Sequence, residues 1–123
     1  MTRHIGRSLF ALPLLLGVIG LLAGGSVRAA GGTVIVLPAT GVVDNVLAGY
    51  LQEGIAVASR RGAAAVVVRL HTPGGSLDAT PKSVSAFLAA PLPTIVWVAP
   101  SGARAASAGT FITLAGQDRK SVV

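Results

Sequence analysis

Ser107 is the residue of this sequence best placed to do chemistry. It lies within APSGARAASAGTFITL, residues 99–114, between a valine-rich run with a tryptophan, Thr94 to Val98, and a new apolar segment. Pro100 and Gly102 end the run, so the local reading is strand, tight turn and helix start, with Ser107 at the helix start. A hydroxyl there sits beside backbone N–H groups without helical partners and at the positive end of the helix dipole. That setting stabilises negative charge on the serine oxygen or on an oxyanion next to it. Ala105, Ala106, Ala108 and Gly109 leave room for a substrate backbone. The same position is the ordinary one for a capping serine, and a Ser-Ala-Gly tripeptide alone favours that reading.

A second stretch, VVVRLHTPGGSLD at residues 66–78, changes the balance. Here a β-branched strand ends in Thr72-Pro73-Gly74-Gly75, which breaks the strand and presents backbone N–H groups free of side-chain obstruction. Alone, it reads as an ordinary turn. The two strand-to-loop-to-helix junctions, however, lie one βαβ unit apart. Strands of a parallel α/β sheet share the edge formed by their carboxyl ends, so the Gly74-Gly75 loop and Ser107 can converge on one site.

The pair TPGG and, about thirty residues later, ARAASAGT resembles the Clp-class membrane serine proteases of the NfeD type, relatives of the Clp protease and crotonase folds, over about Thr33 to Gly116. The resemblance implies an α/β fold of Clp/crotonase-like repeated βαβ units with a parallel sheet, truncated here before completion. It implies Ser107 as nucleophile, the N–H groups of Gly75 and Ala108 as oxyanion hole, and Gly74 in the substrate loop. The family's base is a lysine well downstream of the nucleophile, so no catalytic base is expected in this chain. Lys82 is the one lysine before residue 117 and reads as a solvated helix residue; Lys120 lies near the end. His71 stands where the family more often has Asp or Asn. An imidazole there can serve as a base, but nothing in the sequence places a carboxylate behind it, and the reading favours support of the loop.

By the same resemblance the substrate is a peptide or membrane protein, and stomatin-like proteins are partners. The competing reading is a membrane-associated scaffold without catalysis, separated from the protease by the downstream lysine. A relative that digests signal peptides, with its lysine placed differently, is a further enzyme reading. A crotonase acting on acyl-CoA conflicts with the export signal described below, because CoA chemistry is cytoplasmic. No cofactor is implied. Two histidines, one of them in the leader, and four scattered acids supply no metal ligand set.

The elements that must position these residues are legible in the pattern. Thr33 to Leu37 is a β-branched run ended by Pro38, the mark of a buried parallel strand. Val43 to Arg61 has apolar residues at helical period, with Asp44 near its start and Arg60-Arg61 before Gly62. Ala63 to Leu70 is the second strand. Leu77 to Ala89 is a helix that tolerates Pro81 in its first turn and buries Val84, Phe87 and Leu88. Thr94 to Val98 is the third strand and Ala105 to Ala115 the third helix, an order that implies parallel strands with right-handed crossovers.

Composition bounds the rest. A chain of 123 residues, 52% hydrophobic and 11% charged, is one small ordered domain. Without cysteine it has no disulfide, thiolate nucleophile or zinc-thiolate site. The formal charge of +6 falls to +3 from Ala30 onward, and no basic stripe with interleaved aromatics remains, so nucleic acid is not expected as a partner. Residues 1–29 read as a signal peptide or N-terminal anchor. Arg3, His4 and Arg7 precede the uncharged run Leu9 to Ala23, and Val27-Arg28-Ala29 offers a cleavage site. The remainder is thereby placed outside the cytoplasm, on the periplasmic or extracytoplasmic side. Residues 30–116 form the partial protease domain. QDRKSVV, residues 117–123, departs from the pattern and reads as a non-native tail of the kind a translated sequencing adapter leaves. With later strands missing, the fragment is expected to aggregate or self-associate, a homo-oligomer being one such form.

Overall fold

The computed structural model describes residues 31–121, and the leader read over residues 1–29 lies outside them. The elements follow in the order β1 (Val34–Thr40), α1 (Asn45–Arg60), β2 (Ala65–His71), α2 (Ala79–Leu88), β3 (Thr94–Val98), α3 (Ala108–Ala115) and β4 (Asp118–Ser121). The four strands form one parallel sheet in sequence order. The repeated βαβ architecture expected from the sequence is therefore present.

Register explains the core. Leu37 pairs with Val68 and Val68 with Val96; Ala39 pairs with Leu70 and Leu70 with Val98. These rows lie on one face, and most of them join Leu51 and Ile55 of α1, Phe87 of α2 and Ile112 of α3 in a single buried cluster. Each such fully buried side chain contributes about 1.5–3 kcal/mol. The opposite face, with Val34, Val36 and Trp97, is exposed. Gly54 lets α1 lie close on β1, because a side chain there would run into Leu37.

Local chemistry sets the ends of α1. The Asp44 carboxylate accepts the Leu47 N–H at 2.8 Å, the ordinary capping bond. At the other end Gly62, at φ +65°, donates to the Ser59 carbonyl while Ala63 donates to that of Ala58. This is the paired-bond glycine stop that turns the chain back toward the sheet.

Three features differ from the sequence pattern. β1 does not end at Pro38 but runs through it to Thr40; it is an edge strand, where a missing N–H is tolerated. On α2, Leu88 is exposed and the small residues Ala79 and Ser83 are buried with Phe87, since close helix contact favours small side chains over the nominal apolar stripe. The charged segment Asp118–Ser121, which lacks any apolar alternation, lies along β3 as a fourth strand, with Ile95 opposite Asp118 and Val98 opposite Ser121. Among the described residues no helix is long and apolar enough to cross a membrane.

Candidate active site

The loops that leave β1, β2 and β3 meet at the carboxyl edge of the sheet. Beyond β2, the Thr72 N–H donates to the Arg104 carbonyl at 2.7 Å and the Ala106 N–H donates to the Thr72 carbonyl at 3.1 Å. The loop after β1 is tied in by the Val43 N–H, which donates to the Gly74 carbonyl at 2.8 Å, and by the Ser76 N–H, which donates to the Val43 carbonyl at 2.9 Å. This packing explains both glycines. Gly74 has φ +129°, and a Cβ there would lie 3.0 Å from the Cβ of Ser107. A Cβ on Gly75 would collide with the Val43 carbonyl oxygen.

Ser107 holds the N-cap position of α3 with φ 50° and ψ −113°. Among the described residues it is the sole non-glycine with positive φ, a conformation that costs about 1–3 kcal/mol and persists where the surroundings impose it. Its hydroxyl makes no capping bond. The N–H groups a cap would satisfy go elsewhere: Gly109 donates to the Ala106 carbonyl and Thr110 to that of Ser107 itself, each at 2.9 Å. The capping alternative thus does not describe this serine. Its side chain is exposed while Ala108 and Gly109 behind it are buried.

Two N–H groups near Ser107, those of Gly75 and Ala108, donate to no protein acceptor among the described residues. Both residues border, with Ser107, one cavity of about 370 Å³, whose other walls include Leu77, Val84 and Phe111. The sequence-derived residues Ser107, Gly74, Gly75 and Ala108 are therefore brought together. A hydroxyl, two unpaired donors and an apolar cavity can accept an acyl group whose carbonyl oxygen points at the donors.

The basic residues weighed from sequence lie apart from this cavity. His71 is half-buried, and its Nδ1 accepts the Arg104 N–H at 3.2 Å, which braces the loop leading to Ser107. Lys82 is exposed and its Nζ donates to Asn45 Oδ1 at 2.6 Å. Asn45 in turn donates to Asp78 at 2.7 Å. The bond from Asn45 and the nearby Ser76 hydroxyl hold the Asp78 carboxyl down at about 2. This chain of polar groups joins the starts of α1 and α2. Among the described residues no three His, Cys, Asp or Glu side chains are grouped to hold a metal ion.

The sequence pattern gives Thr72 only as part of the TPGG turn, Val43 as the start of a helical run and Gly109 as room beside Ser107, and assigns none of them to joining the loops. Thr72 is fully buried, and a Cβ on Gly109 would meet its Cγ2 at 2.5 Å. The available signal was the threonine that opens TPGG and the glycine two residues after Ser107; the contact between them is visible only in three dimensions.

A parallel sheet with βαβ crossovers and loops converging at its carboxyl edge defines the class, an α/β domain of Clp-like fold. The chain belongs to the family described as NfeD1b, N-terminal domain, which matches residues 33–120. It is 43% identical over 60 residues to membrane-bound protease PH1510 of Pyrococcus horikoshii, a match covering 49% of this chain and 14% of that protein. Two structures of the 1510-N membrane-bound stomatin-specific protease superpose on it. A serine-to-alanine mutant does so with TM-score 0.72 and 31% identity over 73% of this chain and 44% of the other. A lysine-to-alanine mutant in complex with a substrate peptide gives TM-score 0.72 and 33% identity over 75% and 42%. The fold is shared at greater distance with ClpP1 of Listeria monocytogenes, at TM-score 0.56 and 19% identity over 66% and 46%. The chain spans less than half the length of each of these structures.

Proposed function

We propose that this chain carries the nucleophile and oxyanion hole of a membrane-associated serine endopeptidase of the NfeD type. The observation that carries the proposal is Ser107, held in a costly backbone conformation with its hydroxyl unused by the helix it begins. In the reaction, Ser107 Oγ attacks the scissile carbonyl and gives its proton to a base. The carbonyl oxygen takes the negative charge beside the N–H groups of Gly75 and Ala108. Collapse expels the amine, which leaves with a proton, and water then hydrolyses the ester on Ser107. Losing one oxyanion donor typically costs about 3 kcal/mol in the transition state. Gly74, pressed against Ser107, keeps the substrate's path clear of side chains.

The base is a lysine contributed beyond Val123. In support, Lys82 and His71 are both engaged elsewhere, and the related 1510-N protease has been mutated at a serine and at a lysine, the latter mutant binding a substrate peptide. That relative is specific for a stomatin homologue, which supports a peptide substrate from a stomatin-like partner at the membrane. Residues 30–116 hold every site residue named here, and the leader over 1–29 carries them to the extracytoplasmic side. The exposed Val34, Val36 and Trp97 support self-association of the chain.

The test uses the longer gene product that supplies the lysine. Ser107→Ala should abolish labelling by a serine-directed phosphonate and abolish peptide cleavage while the protein remains folded. Full cleavage by the folded variant would end the protease reading and leave the scaffold.

A further inference from the structure

We infer that Thr72 is the positioning residue that fixes the spacing between the two oxyanion donors, an assignment that rests on the serine-protease reading above. The donors come from different loops, Gly75 from the loop after β2 and Ala108 from the start of α3. Their separation must match one oxygen atom, because such donors act only within about 2.7–3.1 Å of the oxyanion. Nothing in covalent structure holds them at that separation. Thr72, next to the His71–Arg104 bond, is the residue that bonds the nucleophile loop through its backbone and Gly74 through its side chain.

Each part of Thr72 contacts a different piece of the site. Its backbone bonds to the nucleophile loop on both sides, through the Arg104 carbonyl and the Ala106 N–H. Its Oγ1 accepts the Gly74 N–H at 3.1 Å and donates to the Gly74 carbonyl at 3.1 Å. That carbonyl belongs to the same peptide group as the Gly75 N–H. Its Cγ2 fills the space at Gly109, directly after Ala108. The residue is fully buried, so water does not compete for these bonds. The hydroxyl holds the Gly74 loop and the backbone bonds lock that loop to the nucleophile loop, while the methyl only packs against Gly109. A serine in place of Thr72 keeps the bonds to Gly74; a valine keeps the shape and loses them.

The experiment compares Thr72→Val, Thr72→Ser and Ser107→Ala in the longer gene product, reading phosphonylation of Ser107 by a peptidyl diphenyl phosphonate, the kcat and KM of peptide cleavage, and amide exchange at Gly74. Thr72→Val should label about ten- to a hundredfold more slowly, the loss falling on kcat with KM unchanged, since a displacement of about 1 Å costs on that order. The Gly74 amide should exchange faster in the same variant. Thr72→Ser should label within about threefold of the parent, because the bond that sets the geometry is retained. Parental labelling by folded Thr72→Val would overturn the assignment. So would a tenfold loss in folded Thr72→Ser, an outcome that can be read even if the valine variant does not fold. Failure of the underlying reading looks different: the parent is then not labelled at Ser107, or labels equally as Ser107→Ala, and the assignment falls with it.

Discussion

α1 and α3 begin at the same kind of place, just beyond the carboxyl end of a parallel strand, and use it in opposite ways. At α1 the capping residue Asp44 is extended, with φ −115°, and its carboxylate accepts the Leu47 N–H. At α3 the residue in that position, Ser107, has φ 50° and leaves its hydroxyl and the following N–H open. One helix start is arranged for stability and the other at its expense. Strain held by surrounding structure, with polar groups left unpaired toward a cavity, is the pattern expected where chemistry rather than folding sets the local geometry.

The largest effect should come from breaking the wall behind the second start. Gly75→Ala sets a methyl against the Val43 carbonyl, which cannot retreat without losing the bond from Ser76. A loss of about 3 kcal/mol in urea denaturation is expected, along with loss of phosphonate labelling. A folded variant of parental stability would show that the three loops are less tightly joined than the comparison requires.

Ser107→Gly should separate stability from function. Glycine accepts positive φ without penalty, so the variant should gain about 1 kcal/mol and raise the melting temperature while labelling disappears. A fall in stability would mean that the serine side chain supports the helix after all. The counterpart at the other helix is Asp44→Ala, expected to lose about 1 kcal/mol with its capping bond and to leave labelling at the parental rate. If both changes shifted stability in the same direction, the contrast between the two helix starts would be gone.

The smallest effect concerns the polar chain between α1 and α2. Asp78 has its carboxyl lowered from 3.8 to about 2 by the bond from Asn45 and the nearby Ser76 hydroxyl, so its contribution to stability is complete above the ordinary carboxylate range and is lost as pH falls through about 2. The melting temperature should therefore drop more steeply between pH 4 and 2 in the parent than in Asp78→Asn. The group is exposed, so the difference should be slight and should shrink in high salt.

How much was legible beforehand follows from the range of the interactions involved. Thr94 to Val98 was readable to the residue, because a β-branched run bounded by Pro93 and Pro100 is a local signal. Pro38 has the local signature of a strand end, and its tolerance within β1 depends on that strand lying at the sheet edge. Asp118–Ser121 carried no strand signal because its pairing is supplied by β3.

The site divides along the same line. The amino-acid sequence by itself determined the order of elements from β1 to α3 and the two glycine- and alanine-rich junctions, and it was the family resemblance of those junctions that pointed to Gly74, Gly75, Ser107 and Ala108. β-branched runs, helical periodicity and turn residues all act over a few neighbours. Only the tertiary structure decided that Ser107 forgoes its capping bond, that His71 faces the Arg104 N–H, and that Thr72 joins two loops. Those outcomes depend on partners about thirty residues away in sequence, which meet because parallel strands place their carboxyl ends along one edge.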